Sequence, residues 1–223
     1  MQSVKVLPDR LRNADYHFPT MTGALLDSAA TTVIFHVTHV TDVSSPLPMR
    51  IFVAIGMPEA IRSRLTPVCQ GLPNVRWVPP ENMHCTVRFI GEVDDVVARS
   101  AIDIVRAISL RPFTVHVRGV GHFPLHATAA APDVLWVGIE QSEPLARLVA
   151  DVNHALTACG LRPDPRPFHA HVTVGRCPKA SLNDVRAWCR RYHDFDAGHF
   201  TVDGVNCYQS VQTPTGPAYR LLR

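Results

Sequence analysis

The sequence predicts an α+β fold built from two similar lobes that face each other across a cleft. Strand-like and helix-like segments alternate from Met49 to the end of the chain. Hydrophobic residues make up 46% of the 223 residues and charged residues 18%, which allows one sizeable core. A short His-x-Thr motif occurs twice, at His84 and at His171, in halves of similar make-up. This repeat indicates an approximate internal duplication and hence the two lobes.

The segment before Met49 differs in composition from the rest of the chain. It contains four prolines and many serine, threonine and aspartate residues, and Asp27, His36 and His39 interrupt its one mildly apolar stretch. We therefore expect residues 1–48 to form a poorly ordered N-terminal extension and residues 49–223 to form the folded domain. The alternative is a single strand from Thr31 to Val37 that adds to the fold.

The elements of the first half follow from local patterns, in order. An apolar strand runs from Arg50 to Ile55, and a helix from Pro58 to Gln70 has proline near its start. A short strand from Val75 to Val78 is stopped by two prolines. A strand from Met83 to Ile90 comes next, and the apolar spacing from Asp94 to Leu110 is typical of a helix.

The second half repeats this alternation of strands and helices. Phe113 to Val120 and Val134 to Ile139 have strand patterns, and a helix from Pro144 to Cys159 is closed by Gly160. The remaining elements are a strand, a helix and two strands: Ala170 to Arg176, Leu182 to Tyr192, Phe200 to Gln209 and Pro217 to Leu222.

Composition and charge exclude several classes of protein. The formal charge of +3 is too small for a strongly basic nucleic-acid binder. The six cysteines form no C-x-x-C pair, which argues against a structural zinc site. No apolar run reaches the roughly 18 residues that a membrane helix needs, and no secretion signal is recognised. We therefore expect a cytoplasmic protein with reduced thiols and no membrane partner.

The repeated motif places polar side chains on one face of each strand. Because side chains alternate along a strand, His84, Thr86 and Arg88 share one face, and Cys85 lies on the opposite face as a core thiol. By the same rule, His171 and Thr173 share a face. Arg176 lies on the opposite face unless a bulge or the strand end turns it.

Two such faces suit the cleavage of a phosphoester without a metal. With an ordinary pKa near 6.5, one neutral imidazole can take a proton from water, and a second, protonated imidazole can give one to the leaving oxygen. Two threonine hydroxyls can hydrogen-bond the phosphoryl oxygens as negative charge builds in the transition state.

These motifs and their surroundings resemble the two-histidine (2H) phosphoesterases, in particular the RNA 2′,3′-cyclic phosphodiesterases once named 2′-5′ RNA ligases. The resemblance covers Met49 to Arg223. It rests on a set of matching segments: the opening strand Arg50 to Ile55, the motif strands from His84 and His171, the centre from Val120 to Pro124 and from Val134 to Val137, and the C-terminal strands around Tyr208 to Ser210 and Gly216 to Tyr219. Ala170 departs from the proline that often precedes the second histidine.

The resemblance implies a fold, an activity and a set of site residues. The fold would have two lobes, each an antiparallel sheet flanked by helices, with the cleft between them. The activity would be metal-independent hydrolysis of a terminal 2′,3′-cyclic phosphate on RNA to a 2′-phosphomonoester. Separately, we expect a monomer without a cofactor. His84 would be the proton donor and His171 the proton acceptor. Thr86 and Thr173 would bind the phosphate, and Arg88 is a further candidate for substrate binding.

Several alternatives stay open at this point. The same residues would serve 2′-5′ RNA ligation or cleavage of a small cyclic or 2′-5′-linked nucleotide. A non-catalytic nucleotide-binding module of the same fold is a third hypothesis. A metal-dependent phosphodiesterase that uses His169 and His171 is a fourth, although no nearby acidic residue completes such a site. Phe123 and Trp136 are expected in the core.

Overall fold

The structure, a computed structural model, describes residues 48–124, 132–214 and 216–223. The expected disorder of the N-terminal extension and the alternative strand from Thr31 to Val37 concern residues outside the described part. Among the described residues, no helix is long and apolar enough to cross a membrane.

The described residues form nine strands and four α-helices. The strands are β1 (Met49–Gly56), β2 (Arg76–Trp77), β3 (His84–Val93), β4 (Phe113–Pro124), β5 (Pro132–Ile139), β6 (His171–Arg176), β7 (Asp196–Val202), β8 (Asn206–Thr213) and β9 (Gly216–Leu221). The helices are α1 (Glu59–Leu65), α2 (Asp95–Ala107), α3 (Glu143–Ala158) and α4 (Leu182–Arg191). The α+β prediction is confirmed.

The strands form two antiparallel sheets, as the resemblance implied. The four-stranded sheet has the order β3-β1-β8-β9, and the five-stranded sheet has the order β2-β6-β5-β4-β7. Helices α2 and α3 pack on the first sheet, and α1 and α4 pack on the second. The two motif strands, β3 and β6, lie in different sheets and contact each other. This contact brings the two His-x-Thr motifs together.

Local signals in the sequence fix most helix ends. Asp94, Ser142 and Ser181 cap α2, α3 and α4, because each side chain accepts a hydrogen bond from a backbone N–H of the first turn. Gly160 follows α3 with a φ of 87°, a conformation that favours glycine. The first helix ends at Leu65 and continues only as a short 3₁₀ turn, since Pro67 cannot donate a backbone hydrogen bond.

The prediction of one continuous strand from Phe200 to Gln209 was wrong. The chain leaves β7 at Val202 and enters β8 at Asn206, and these two strands belong to different sheets. The Asp203-Gly204 pair is a common turn sequence, but the apolar residues on either side make the segment read as one strand. The crossing matters for the site, because it takes the chain from the five-stranded sheet to the four-stranded sheet, where β8 and β9 lie.

Candidate active site

Both His-x-Thr motifs present their polar side chains on the faces where the two sheets meet. His84, Thr86, His171 and Thr173 are all half-buried, while the residues between them are buried in the core. No hydrogen bond to either threonine hydroxyl is found within the described residues. The strand alternation that the sequence predicted therefore holds for these four residues.

A bulge in β3 ends that alternation just after Thr86. Ala54 of β1 pairs with Thr86, and the residue before it, Val53, pairs with Arg88. Val87 is therefore the extra residue in β3. The side chain of Arg88 is thereby turned to the helix side of the sheet. Arg88 is only 1% exposed. The prediction that Arg88 shares the face of His84 and Thr86 was wrong.

In the core, Arg88 braces the end of α3 and the loop that follows. Its guanidinium donates four hydrogen bonds of 2.7 to 3.2 Å, to the carbonyl oxygens of Asn153, Leu161 and Arg162 and to the hydroxyl of Thr157. A cation is favoured here because the carboxyl end of a helix carries partial negative charge. Arg88 therefore has a structural position and does not reach the face with the histidines.

The second motif strand has a bulge at the matching place. Trp136 of β5 pairs with Thr173 and Leu135 with Gly175, so that Val174 is the extra residue. The shift places Gly175 on the core side, and Arg176 returns to the face of His171 and Thr173. Arg176 is exposed there, and its positive charge is close enough to lower the pKa of His84. Strict alternation had put Arg176 on the wrong face.

The two histidine rings are held in the same way. In each, Nδ1 lies 2.7 Å from the carbonyl oxygen of the residue two positions earlier, Asn82 for His84 and His169 for His171. A carbonyl oxygen only accepts hydrogen bonds, so each Nδ1 carries a proton and donates it. Nε2 is left as the nitrogen of each ring that can exchange a proton with a ligand.

Aromatic side chains enclose both rings. The ring of Tyr219 is nearly perpendicular to that of His84, with the two centroids 4.9 Å apart, and the centroid of the Phe52 ring lies 4.8 Å from that of His84. Phe123 makes a matching edge contact with His171, also at 4.9 Å. These contacts fix the ring orientations and shield part of each ring from water. Phe52 and Tyr219 come from strands far from His84 in sequence, and no local pattern singles them out.

This enclosure lowers the pKa of both histidines. For His84 the pKa falls from 6.5 to about 4, mainly because burial disfavours the charged ring, and the nearby charges of His171 and Arg176 add to the effect. Its hydrogen bond to the Asn82 carbonyl opposes the shift. The pKa of His171 is lowered by burial and by His169, against its own backbone hydrogen bond. Both rings are therefore neutral at pH 7 when no ligand is bound.

Phe123 and Trp136, which were expected in the core, are half-buried beside the second motif. The ring of Phe123 lies 5.5 Å from that of Trp136, and both contact the exposed His169. His169 lies at the rim, where its carbonyl orients His171. Alternation along β5 could have placed Trp136 on this face, since Leu135 and Val137 are both fully buried.

Cys85 lies on the core side, as predicted. It is fully buried, and burial raises the pKa of its thiol to about 12, so the thiol stays protonated. Within the described ranges, no cluster of three or more histidine, cysteine, aspartate or glutamate residues has a geometry that could hold a metal ion. His169 and His171 therefore have no third ligand among the residues described.

Comparison with known proteins identifies relatives over most of the chain. The family model described as the 2′-5′ RNA ligase superfamily matches residues 24–214. A protein of Archaeoglobus fulgidus named RNA 2′,3′-cyclic phosphodiesterase is 34% identical over 178 residues, which are 78% of this chain and 98% of that protein.

Solved structures share the fold. A Thermus thermophilus protein superposes with a TM-score of 0.64 at 26% identity, over 78% of this chain and 96% of its own. E. coli LigT, crystallised with 3′-AMP, superposes with a TM-score of 0.64 at 22% identity, over 79% and 96%. The family match, the relative and the shared fold agree with the two matched His-x-Thr strands, and the chain belongs to the 2′-5′ RNA ligase superfamily of two-histidine phosphoesterases.

Proposed function

We propose that this protein hydrolyses the 2′,3′-cyclic phosphate at the end of an RNA to a 2′-phosphomonoester, without a metal. The observation that carries the proposal is the pair of histidines held in the same way beside two threonine hydroxyls. In each histidine, the Nδ1–H donates a hydrogen bond to a backbone carbonyl oxygen, and Nε2 is left for a ligand. The name of the Archaeoglobus relative supports the choice of substrate. E. coli LigT binds 3′-AMP on the same fold, which agrees with a nucleotide ligand.

In the proposed reaction, two protons move in opposite directions. The oxygen of a water molecule attacks phosphorus while Nε2 of His171 takes one of its protons. The bond from phosphorus to O3′ breaks, and Nε2 of His84 gives its proton to O3′. Thr86 and Thr173 donate hydrogen bonds to the two non-bridging oxygens, where negative charge grows. Proton exchange with solvent then restores both rings.

The proposed acid must gain a proton that it lacks in the free protein. The pKa of His84 is about 4 without ligand, because burial and the charges of His171 and Arg176 disfavour protonation. A bound phosphodiester brings a negative charge to the same place and offsets the charge of Arg176, so it raises this pKa. The site therefore becomes competent for acid catalysis as the substrate binds.

A substrate with sulfur in place of O3′ tests which histidine is the acid. A thiolate leaves without a proton, so this substrate should restore turnover to His84→Ala and leave His171→Ala slow. The reverse pattern would exchange the two roles and keep the two-histidine mechanism. Rescue of neither variant would contradict acid catalysis by a histidine.

Product analysis tests the activity itself. The protein is incubated with a short RNA ending in a 2′,3′-cyclic phosphate, with and without EDTA, and the products are resolved by ³¹P NMR. We expect a 2′-phosphomonoester at an equal rate in both samples. Loss of activity in EDTA would favour the metal-dependent alternative, a 2′-5′-linked product would favour ligation, and an unchanged RNA would refute the proposal.

We further propose that residues 49–223 form the catalytic domain and that one chain is sufficient in the cytoplasm. Both His-x-Thr pairs, and the described residues that contact them, come from this part of a single chain. The buried thiols of Cys85 and Cys207 suit a reducing compartment.

A further inference from the structure

Two arginines stand side by side on the strands that border the site. Arg76 of β2 pairs directly with Arg176 of β6, and the next pair along the ladder is Trp77 with Gly175. Trp77 packs toward Trp188 of α4, with ring centroids 6.4 Å apart, so this second pair faces the helices. Both arginines therefore face the opposite way, on the face that carries His171 and Thr173.

The two guanidinium groups have no carboxylate partner among the described residues. Most of the described arginines lack one too, and the ion-paired ones are Arg62, Arg99, Arg118, Arg147 and Arg166. What distinguishes Arg76 and Arg176 is that they lie directly opposite each other on neighbouring strands. Like charges directly opposite each other weaken a sheet. An anion bound beside both side chains would remove this repulsion, so the pair has the character of a binding site for a negative group.

The two arginine side chains lie at different distances from the histidines, with Arg176 nearer and Arg76 farther out. Arg176 is the inner one, since its charge acts on His84. Arg76 lies one strand further out, on the edge of the five-stranded sheet, and its Nη1 lies 3.8 Å from where a Cβ of Gly216 would be. Gly216 begins β9 of the other sheet, so Arg76 reaches across toward the opposite lobe.

We propose that Arg76 binds the 3′,5′-phosphodiester that joins the terminal nucleotide to the rest of the RNA, with Arg176 between this phosphate and the reacting one. This inference rests on the proposed function. A guanidinium suits the contact because its planar N–H groups match phosphate oxygens. Arg76 would thus make the enzyme prefer an RNA end over a free nucleoside cyclic phosphate, which has no second phosphate.

The test compares two substrates and two variants. The substrates are a nucleoside 2′,3′-cyclic phosphate and a trinucleotide with the same cyclic end. Arg76→Met should lower kcat/KM for the trinucleotide by about tenfold and leave the nucleoside within about twofold, because only the trinucleotide carries the second phosphate. Arg186→Met, the same change on exposed α4 behind the same sheet, is the matched control and should alter neither.

A neutral linkage in the substrate sharpens the comparison. A methylphosphonate at the upstream position should cost the wild-type protein the same factor as Arg76→Met, and should cost that variant nothing more. The dependence of log kcat/KM on log salt should also become shallower by about 0.7 in the variant, the value for one phosphate contact on a single strand. An equal loss with both substrates, or no loss with either, would overturn the inference.

Direct binding separates this inference from the proposed activity. The probe is a fluorescein-labelled trinucleotide ending in a 2′-phosphate, measured by anisotropy. If the wild-type protein binds it but hydrolyses no cyclic end, the proposed function fails, and weaker binding by Arg76→Met still supports the contact. Equal binding by Arg76→Met and wild type, or no binding by the wild type, would refute the contact, while the proposed function is decided by hydrolysis of the cyclic end alone.

Discussion

Replacing Arg88 by methionine should lower the free energy of unfolding and leave substrate binding by the folded protein unchanged. The variant loses four hydrogen bonds from a charged donor and leaves three carbonyl oxygens near the end of α3 without it. A fully buried acceptor left unpaired costs about 1–3 kcal/mol, and each of these part-buried carbonyls costs less than the upper value. The methionine offsets part of this loss of stability, because it removes both the cost of burying the charge and the unpaired Nε of Arg88. We expect a net loss of about 3 kcal/mol in the free energy of unfolding.

Urea unfolding followed by circular dichroism measures this loss. The full chain, Arg88→Met and the exposed control Arg186→Met are compared at one pH, and the free energies are extrapolated to zero urea. The control should stay within about 0.5 kcal/mol of the wild type. At temperatures where Arg88→Met is folded, its KM for the cyclic phosphate should be unchanged.

The opposite pattern would refute this account of Arg88. A variant as stable as the wild type, with a KM raised severalfold, would mean that the guanidinium contacts substrate, as plain strand alternation had indicated. A loss of stability together with an unchanged KM would place Arg88 in the scaffold that holds α3 against β3.

Three further predictions address the site itself. His84→Ala and His171→Ala should each lower kcat at least about a hundredfold, the lower range for acid–base catalysis; near-native turnover of His171→Ala would contradict the two-histidine assignment. Because the pKa of His84 is about 4 in the folded protein and 6.5 as its ordinary value, the unfolded chain binds more protons between these values. The titration of His84 alone should therefore lower the free energy of unfolding by about 3 kcal/mol as the pH drops from about 6.5 to about 4. His84→Asn should make the unfolding free energy flatter over that range by this amount. Gly121→Ala should displace the Trp136 indole, which a Cβ at this position would overlap, and so change the near-ultraviolet circular dichroism and lower kcat/KM about tenfold; Gly204→Ala, where a Cβ meets nothing within 4 Å, is the control.

Sequence reasoning predicted the α+β fold and the shared faces of the motif side chains, because both depend on local patterns. The roles of the four motif residues stay predictions. Strand alternation correctly predicted that His84 and Thr86 share a face, and that Cys85 lies behind them. It failed one residue later, at Arg88, because a bulge is set by pairing with a neighbouring strand. The extra residues Val87 and Val174 look like any other valine in a strand, and only the register against β1 and β5 identifies them.

The side chains that surround the histidines could not be predicted from the sequence for a similar reason. Phe52 and Tyr219 reach His84 from β1 and β9, through the order of strands in the sheet. The lowered pKa of each histidine depends on this enclosure, so it could not be derived from the motif. The strand break near Asp203 was missed because apolar residues on both sides continue the pattern across a change of sheet.

The matched bulges also give a direction to a site that the duplication would otherwise leave nearly symmetric. After the bulge, one copy exposes Phe89 and the other exposes Arg176. Two like copies would accept a nucleotide equally well in either of two opposed orientations. Arg166 stacks on Phe89, but its charge is paired with Asp164, whereas Arg176 has no carboxylate partner among the described residues. Under the proposed function, an anionic chain is therefore favoured to leave on the Arg176 side. If the proposed function holds, a single polarity for the bound strand would fix which ester oxygen faces which histidine, and hence which of the two ring-opened phosphates is formed.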